Sequence, residues 1–314
     1  MVRMTVLASG SRGNSTVVSS SRTRILVDAG VSCRELFKRM QAAGEDPRTL
    51  DAILITHEHQ DHVQGLAVTA RKLGVPVYFT EATHRAWIRW ITPRKRMTYA
   101  EWLAERKQQA EARAVAPLNP AMENREAFDE EHDALASEAE KAKADPALLP
   151  AVEFFSAGEE FCIGDIAVTP FTIPHDAADP VGFVFEAEGL RIGLATDLGY
   201  MPPNAAIRLR RCDVLMIESN HDLDMLRDGP YPWSVKQRVM SRVGHLSNNA
   251  AAEFLEKSYD GQAAYVILAH LSESNNLPEL ARVSAEHALR DRMSLLGNRV
   301  LLATQDQPMA SILL

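Results

Sequence analysis

The segment His57-Glu58-His59-Gln60-Asp61-His62 puts three imidazoles and a metal-type carboxylate into six residues, directly after the apolar run Ala52-Ile53-Leu54-Ile55-Thr56. With ten histidines in 314 residues, a chance H-x-H-x-D-H is expected at a frequency of about one in a thousand. Mixed imidazole and carboxylate donors suit divalent cations such as zinc or manganese and do not choose between them. If the strand stays extended through His59, then His57 and His59 point to one side, as a ligand pair must. Asp61 and His62 then fall in a turn before the next helix, where they can address a second cation. Two such cations can hold a bridging hydroxide and clamp a phosphoryl or acyl oxygen, which is hydrolytic chemistry.

Three further residues repeat one placement, a ligand-type side chain just after an apolar strand. His175 follows Phe171-Thr172-Ile173-Pro174, Asp197 follows Ile192-Gly193-Leu194-Ala195-Thr196, and His270 follows Val266-Ile267-Leu268-Ala269. Ligands at strand ends sit on rigid supports, which metal geometry demands. Each alone reads as a turn residue; with the cluster they complete a ligand set. Asp28 closes another apolar strand and has two readings, a carboxylate orienting a cluster histidine or a strand-end turn residue. The Ser9–Ser15 loop, with Ser11, Arg12 and Asn14, reads either as a source of backbone N–H groups for a phosphate or as a tight hairpin turn. His84, His132 and His287 lack any such context and are expected to be surface or packing residues.

The elements that must carry these residues follow from periodicity. Thr5–Ala8, Thr16–Ser20 and Arg24–Asp28 read as a β-meander. Ser32-Cys33-Arg34-Glu35 has capping-box spacing and predicts a helix to about Ala43, stopped by Gly44. Ala52–Thr56 is a buried strand, Val63–Leu73 a helix, Val75–Thr80 a strand. Strands are predicted at Ile166–Ile173, Gly182–Ala187, Arg191–Ala195 and Val214–Ile217. Asn248–Lys257 (helix), Ala264–Ala269 (strand), Pro278–Leu289 (helix) and Arg299–Ala303 (strand) finish the chain. Two strand-rich halves, each trailing helices, predict a layered α/β/β/α sandwich with the ligands at one edge.

Residues 92–149 differ: they are rich in Ala, Glu and Lys, and read as a charged, mainly helical insertion into a single domain. The net charge is −8, and residues 101–145 hold twelve acidic against six basic side chains, leaving −2 for the remainder. No basic footprint marks a nucleic-acid partner, but two divalent cations would make the site itself positive. Met1–Ala8 lacks the apolar core of a secretory signal, and no apolar run approaches a membrane span. Cys33, Cys162 and Cys212 have neither paired nor C-x-x-C spacing, which points to a reducing cytoplasm.

The ordered set Asp28, His57–His62, His175, Asp197 and His270 resembles the five motifs of the metallo-β-lactamase superfamily. Further strings are similar to its YycJ (WalJ)-like branch of exonucleases and phosphodiesterases: Ser9-Gly10-Ser11-Arg12-Gly13-Asn14-Ser15, Pro174-His175-Asp176-Ala177, Thr196-Asp197-Leu198-Gly199, Glu218-Ser219-Asn220-His221-Asp222, Gly244-His245-Leu246-Ser247-Asn248 and His270-Leu271-Ser272. The likeness spans residues 4–90 and 152–305; the insertion departs from the pattern. It implies an α/β, four-layer αββα metallo-β-lactamase sandwich and two divalent metal ions, zinc or manganese. His57, His59 and His175 would bind one, Asp61, His62 and His270 the other, with Asp197 bridging.

His245, before a Ser247-Asn248 helix start where phosphate is welcome, would contact the scissile phosphate and protonate the leaving oxygen; a structural histidine is the alternative. Asp61 would share in catalysis, and His221 belongs to a family string without a role that chemistry supplies. Asp197 in place of cysteine disfavours a thiolate-using β-lactamase, and the intact His59 disfavours a di-iron redox centre. The resemblance implies a metal-dependent nuclease acting 5′ to 3′ on DNA that is single-stranded or end-containing. Alternatives are a small-nucleotide phosphodiesterase, an RNA-processing nuclease, or a metal-bound regulatory scaffold.

Overall fold

The structure, a computed structural model, describes residues 1–92, 147–290 and 299–314. The chain divides into two compact units, Met1–Trp87 with Leu149–Leu314, and Ile88–Leu148. Most of the second unit, including the helices expected in the insertion and His132, lies outside the described residues.

Fourteen strands of the described residues form two seven-stranded mixed sheets. The first holds β1 (Arg3–Ala8), β2 (Ser15–Ser19), β3 (Arg24–Val27), β4 (Ala52–Leu54), β5 (Val77–Phe79), β6 (Val152–Phe154) and, beside β1, β14 (Ile312–Leu313). The second holds β7 (Phe161–Ile163), β8 (Ile166–Thr172), β9 (Val181–Ala187), β10 (Leu190–Ala195), β11 (Val214–Glu218), β12 (Tyr265–Ala269) and β13 (Arg299–Leu302) in consecutive order. In each sheet, antiparallel hairpins give way to parallel strands joined by helical crossovers.

Side-chain alternation explains the near-continuous apolar runs. In β11, Val214 and Met216 enter the core between the sheets, whereas Leu215 and Ile217 join a second core on the helix side. β12 does the same with Ile267 and Ala269 against Val266 and Leu268. A strand buried on both faces has no polar face to show. Met4, Val6, Ile25 and Leu54 of the first sheet meet Phe183, Phe185 and Leu194 of the second in the inter-sheet core. The helix-side core of the second sheet is covered by α5 (Pro203–Arg208), α8 (Asn248–Lys257) and α9 (Pro278–Leu289) through Ala205, Ala251, Phe254, Ala281 and Leu289. On the first sheet, α1 (Cys33–Ala42) packs on β1 and on α3 (Leu66–Leu73). This is the expected αββα sandwich.

Ser32 caps α1, its side chain accepting from Glu35 N, and Ser247 caps α8 by accepting from Ala250 N, as the spacing predicts. Two expectations fail in detail. The helix predicted over Val63–Leu73 is two helices, α2 (Gln60–Val63) and α3, divided at Gly65. A Cβ there would stand 2.0 Å from the Val31 carbonyl oxygen, so close chain approach breaks the helix. The strand predicted over Ala52–Thr56 ends at Leu54, and the chain bends at Thr56. The helices α4 (Glu81–Ile91), α6 (Leu223–Asp228) and α7 (Trp233–Val239) were not anticipated, nor were α5, β6, β7 or β14.

Candidate metal centre

His57 and His59 do not alternate along a strand, as an extended segment would require. Because the strand stops early, they lie on irregular backbone, with His59 as the N-cap residue of α2. The irregular path still brings them to His175: the rings of His57 and His59 lie 5.0 and 4.9 Å from that of His175, and His175 Nε2 is 3.2 Å from His59 Nδ1. The ligand-type atoms of these three residues all fall within 4.8 Å of one another. A second group meeting the same limit is Asp61, His62, Asp197 and His270. The two groups adjoin, since the His57 and His62 rings are 4.0 Å apart.

Burial makes these groups costly without a cation. His57 and His62 are 0% exposed, Asp197 2% and His270 3%. His57 Nε2, His270 Nε2 and Asp197 Oδ2 are buried without hydrogen-bond partners. Buried polar atoms are rarely left unpaired, and orphaned imidazole nitrogens converging with a carboxylate oxygen are what divalent cations require. The donors present therefore fit a metal centre. Electrostatics agree: burial pushes His57 well down, whereas nearby carboxylates overrule burial and hold His62 and His270 well above the ordinary imidazole range. Burial would raise Asp197 and Asp61, but the surrounding imidazoles hold both low.

Four of the ligand-type rings, His57, His62, His175 and His270, have a partner on one ring nitrogen outside the ligand set. Asp28 Oδ2 lies 2.8 Å from His62 Nδ1, while Asp28 also accepts from Thr56 N and Thr56 Oγ1, each at 2.9 Å. His175 Nδ1 donates to the Gly244 carbonyl at 3.1 Å, freeing Nε2. Of the two readings of Asp28, the geometry supports the orienting carboxylate. Asp28→Asn is expected to weaken metal affinity by about 10- to 100-fold, because the amide lacks the charge that polarises the imidazole. Metal titration of the folded variant measures this, and unchanged affinity would refute the role.

Glu218, which sequence reasoning gives no function, links His245 and His270. Fully buried at the end of β11, it places Oε1 2.8 Å from His245 Nδ1 and 2.9 Å from His270 Nδ1. Its Oε2 accepts from Leu198 N at 2.8 Å and Leu246 N at 3.1 Å. Burial works against the carboxylate, yet the His245 and His270 imidazoles hold it at about 2. The available signal was its position, the last residue of an apolar strand, the same placement that marked the other ligands. His245, with 21% of its side chain exposed, sits with its ring 5.3 Å from His175 and 5.1 Å from His270. Its Nδ1 faces Glu218, which leaves Nε2 to carry or release a proton.

The Ser9–Ser15 loop braces the site from the side of β1 and β2. Five of its N–H groups are engaged within the protein: Ser9 N donates to Thr304 O, Gly10 N to Asn14 Oδ1, Arg12 N to Gln305 Oε1, Gly13 N to Gly10 O and Asn14 N to Asp61 O. Asn14 reaches the site, its Nδ2 donating to Asp61 Oδ2 at 3.1 Å and lying 3.0 Å from His62 Nε2. Ser9 Oγ accepts from His270 N at 2.8 Å. Ser11 is exposed, and Arg12 is neutralised by Glu273 and Asp306, away from the ligand groups. Gly30 lets the loop close: a Cβ there would lie 1.7 Å from the Asp61 carbonyl oxygen.

His221 does not join the metal groups. Its carbonyl accepts from Asn248 N, its backbone bridges Ser247, and burial pushes its ring down to about 4. It ties the Glu218–Asp222 string to the Gly244–Asn248 string, a link strengthened by Ser219 Oγ donating to Asn248 Oδ1 at 2.7 Å. His84 packs its ring against Phe79, Trp87 and Phe154, and His287 is exposed. Both match the expectation of packing or surface residues.

A sandwich of two mixed sheets carrying His/Asp groups at one edge is the architecture of a known family, and the model of the metallo-beta-lactamase superfamily matches residues 8–270; the chain belongs to that superfamily. Among curated relatives, the exodeoxyribonuclease YycJ of Bacillus anthracis is 32% identical over 291 residues, covering 93% of this chain and 90% of that protein. The exodeoxyribonuclease WalJ of Streptococcus pneumoniae is 32% identical over 287 residues, covering 91% and 88%. Among solved structures, the metallo-beta-lactamase fold protein YhfI from Bacillus subtilis superposes with a TM-score of 0.62 at 14% identity, covering 98% of this chain and 99% of that one. Among the described residues, no helix is long and apolar enough to cross a membrane.

Proposed function

We propose that this protein is a metal-dependent phosphodiester hydrolase that degrades DNA stepwise from a 5′ end. The observation that carries the reading is the juxtaposition of two adjoining buried ligand groups with His245, a partly exposed histidine whose Nδ1 is fixed by the buried Glu218. His57, His59 and His175 would hold one divalent cation, zinc or manganese. Asp61, His62 and His270 would hold the second, with Asp197 between them. Cations bound there would supply Lewis acidity to the phosphoryl oxygen and make water nucleophilic near neutral pH.

The chain's own groups do the rest. Asp28, Glu218 and the Gly244 carbonyl fix the imidazole rings, so little reorganisation accompanies reaction. Asn14 holds the Asp61 carboxylate in place. His245 presents Nε2 toward the leaving oxygen and donates its proton there. Glu218 raises the basicity of His245 above the ordinary imidazole range against the opposing effect of burial. Glu218 thereby favours the protonated imidazole that a general acid needs.

Nuclease over other hydrolases, and DNA as substrate, are supported by relatives named as exodeoxyribonucleases that match nearly the whole chain. The test is a set of end-labelled single-stranded DNAs with and without a 5′-phosphate, alongside RNA, cyclic nucleotides and a circular single strand. Short products released early from the 5′ end, with the circle intact, are expected. Rapid cutting of the circle would make the enzyme an endonuclease, and release from the 3′ end would reverse the direction.

A further inference from the structure

Between β11 and His245 the chain makes an excursion through α6 and α7, and residues 238–244 of it form one wall of the site. Val243 O accepts from Asp176 N at 3.0 Å, Gly244 O accepts from His175 Nδ1, and His245 N donates to Val239 O at 2.9 Å. On the neighbouring turn, Gly199 N donates to Pro174 O at 2.9 Å. A Cβ on Gly199 would lie 2.4 Å from both the carbonyl carbon and oxygen of Arg242. The two turns thus touch backbone to backbone. They carry Tyr200, three residues beyond Asp197, and Arg242, three residues before His245.

The Arg242 guanidinium lies over the Tyr200 ring, 4.5 Å from its centroid. Arg242 is exposed and, among the described residues, pairs with no carboxylate. Arg238, on the same excursion, is by contrast neutralised by Asp176, and the nearby Arg227 of α6 by Asp224 and Asp228. A stacked guanidinium keeps its N–H edge free and loses less side-chain entropy when it binds, and its fork matches two phosphate oxygens. In a chain of net charge −8, an exposed arginine without a carboxylate partner, set over a tyrosine ring on a turn that touches His175, is a specific feature.

We propose that Arg242, held on Tyr200, grips a backbone phosphate of the nucleic-acid strand next to the scissile bond, so that the strand enters along the turn formed by residues 199–200 and 242–243. This rests on the phosphodiester reading and extends it to the substrate's path. The contact serves a polyanion and offers nothing to a single small diester.

The test is the binding of metal-loaded protein to a short 5′-phosphorylated, fluorescently labelled oligodeoxythymidine with phosphorothioate linkages to slow turnover, measured by anisotropy over a range of salt. Arg242→Gln is expected to raise Kd about tenfold, the loss of one charge-assisted contact. It should also reduce the slope of log K against log salt by about 0.7, one phosphate of a single strand. Arg242→Lys should restore the slope and only part of the affinity, since the ammonium cannot stack or fork. Arg48→Gln, near the start of β4 at the opposite end of that strand from the site, is the control and should change neither. An Arg242→Gln variant that unfolds like wild type and keeps both Kd and slope overturns the proposal. So does a wild type that cleaves bis(p-nitrophenyl) phosphate but binds no oligonucleotide, and that result leaves the hydrolase reading standing. A wild type with the Arg242-dependent slope that cleaves nothing upholds the contact and removes the hydrolase reading.

Discussion

Asp197→Ala is expected to lower phosphodiester hydrolysis by at least about 10³-fold, since cation catalysis supplies several kcal/mol of transition-state stabilisation and the variant loses the carboxylate shared by both ligand groups. Asp197 lies 3.3 Å from His62 Nε2 and 3.3 Å from His270 Nδ1, and a neutral water in its place would bring no charge to balance two cations. Elemental analysis of metal-replete wild type should give two cations per chain, and the variant fewer; one cation in the wild type would count against the dinuclear reading. Asp197 has φ 60°, where a residue with a Cβ is strained by roughly 1–2 kcal/mol. Asp197→Gly removes that strain and the carboxylate together. Equal losses in both variants would assign the effect to ligation; recovery in the glycine variant would assign it to backbone strain.

Metal loading should also depend on pH with a definite sign. In the metal-free protein, carboxylates hold His62 and His270 well above the ordinary imidazole range. Ligation requires these nitrogens to be deprotonated, so binding releases protons and affinity falls as pH drops through and below those raised values. Competition with a chromophoric chelator across the neutral-to-acid range measures it. Affinity that stays flat over that range would mean the two imidazoles are already neutral before the cation arrives.

His245→Ala is expected to keep both cations and to lose activity by about 10² to 10⁴-fold, the usual contribution of a general acid. The loss should depend on the leaving group. A p-nitrophenolate departs with little protonation, whereas a nucleoside alkoxide needs the proton, so the variant should be far more damaged on DNA than on the nitrophenyl diester. Equal damage on both would make His245 a binding residue. Glu218→Gln should follow the same leaving-group pattern more weakly, because the neutral amide still contacts Nδ1 without raising basicity. It should also disturb metal binding through His270, to which the same oxygen is bound.

Much of this centre was legible because its residues share one structural habit. Asp28, Asp197 and His270 each follow a strand buried on both faces, and a polar residue ending an apolar run stands out against it. His57–His62 stood out by spacing alone. Glu218 has the same placement after Val214–Ile217, but its role comes from His245 and His270, which are remote in sequence, so the strand pattern alone assigns it none. The path of His57 and His59 was misjudged because a strand end depends on what the neighbouring chain offers. Here Asp28 takes Thr56 N and turns the backbone away from the sheet. The loop at Ser9–Ser15 was ambiguous because its hydrogen-bond partners, Asp61, Thr304 and Gln305, are remote in sequence, and composition cannot reveal them.

Those remote partners have a bearing on how the protein is made. The loop that supplies Asn14 to Asp61 and His62, and Ser9 to His270, is itself anchored by Thr304 O on Ser9 N and by Gln305, whose side chain accepts from Arg12 N and donates to Gly13 O. β1 likewise gains its outer neighbour only from Ile312–Leu313. During vectorial synthesis the histidine cluster leaves the ribosome long before these residues do. The nascent chain therefore holds its first ligands on an unbraced scaffold beside the messenger and ribosomal RNA, and the centre is finished only after residues 304–313 have emerged and docked.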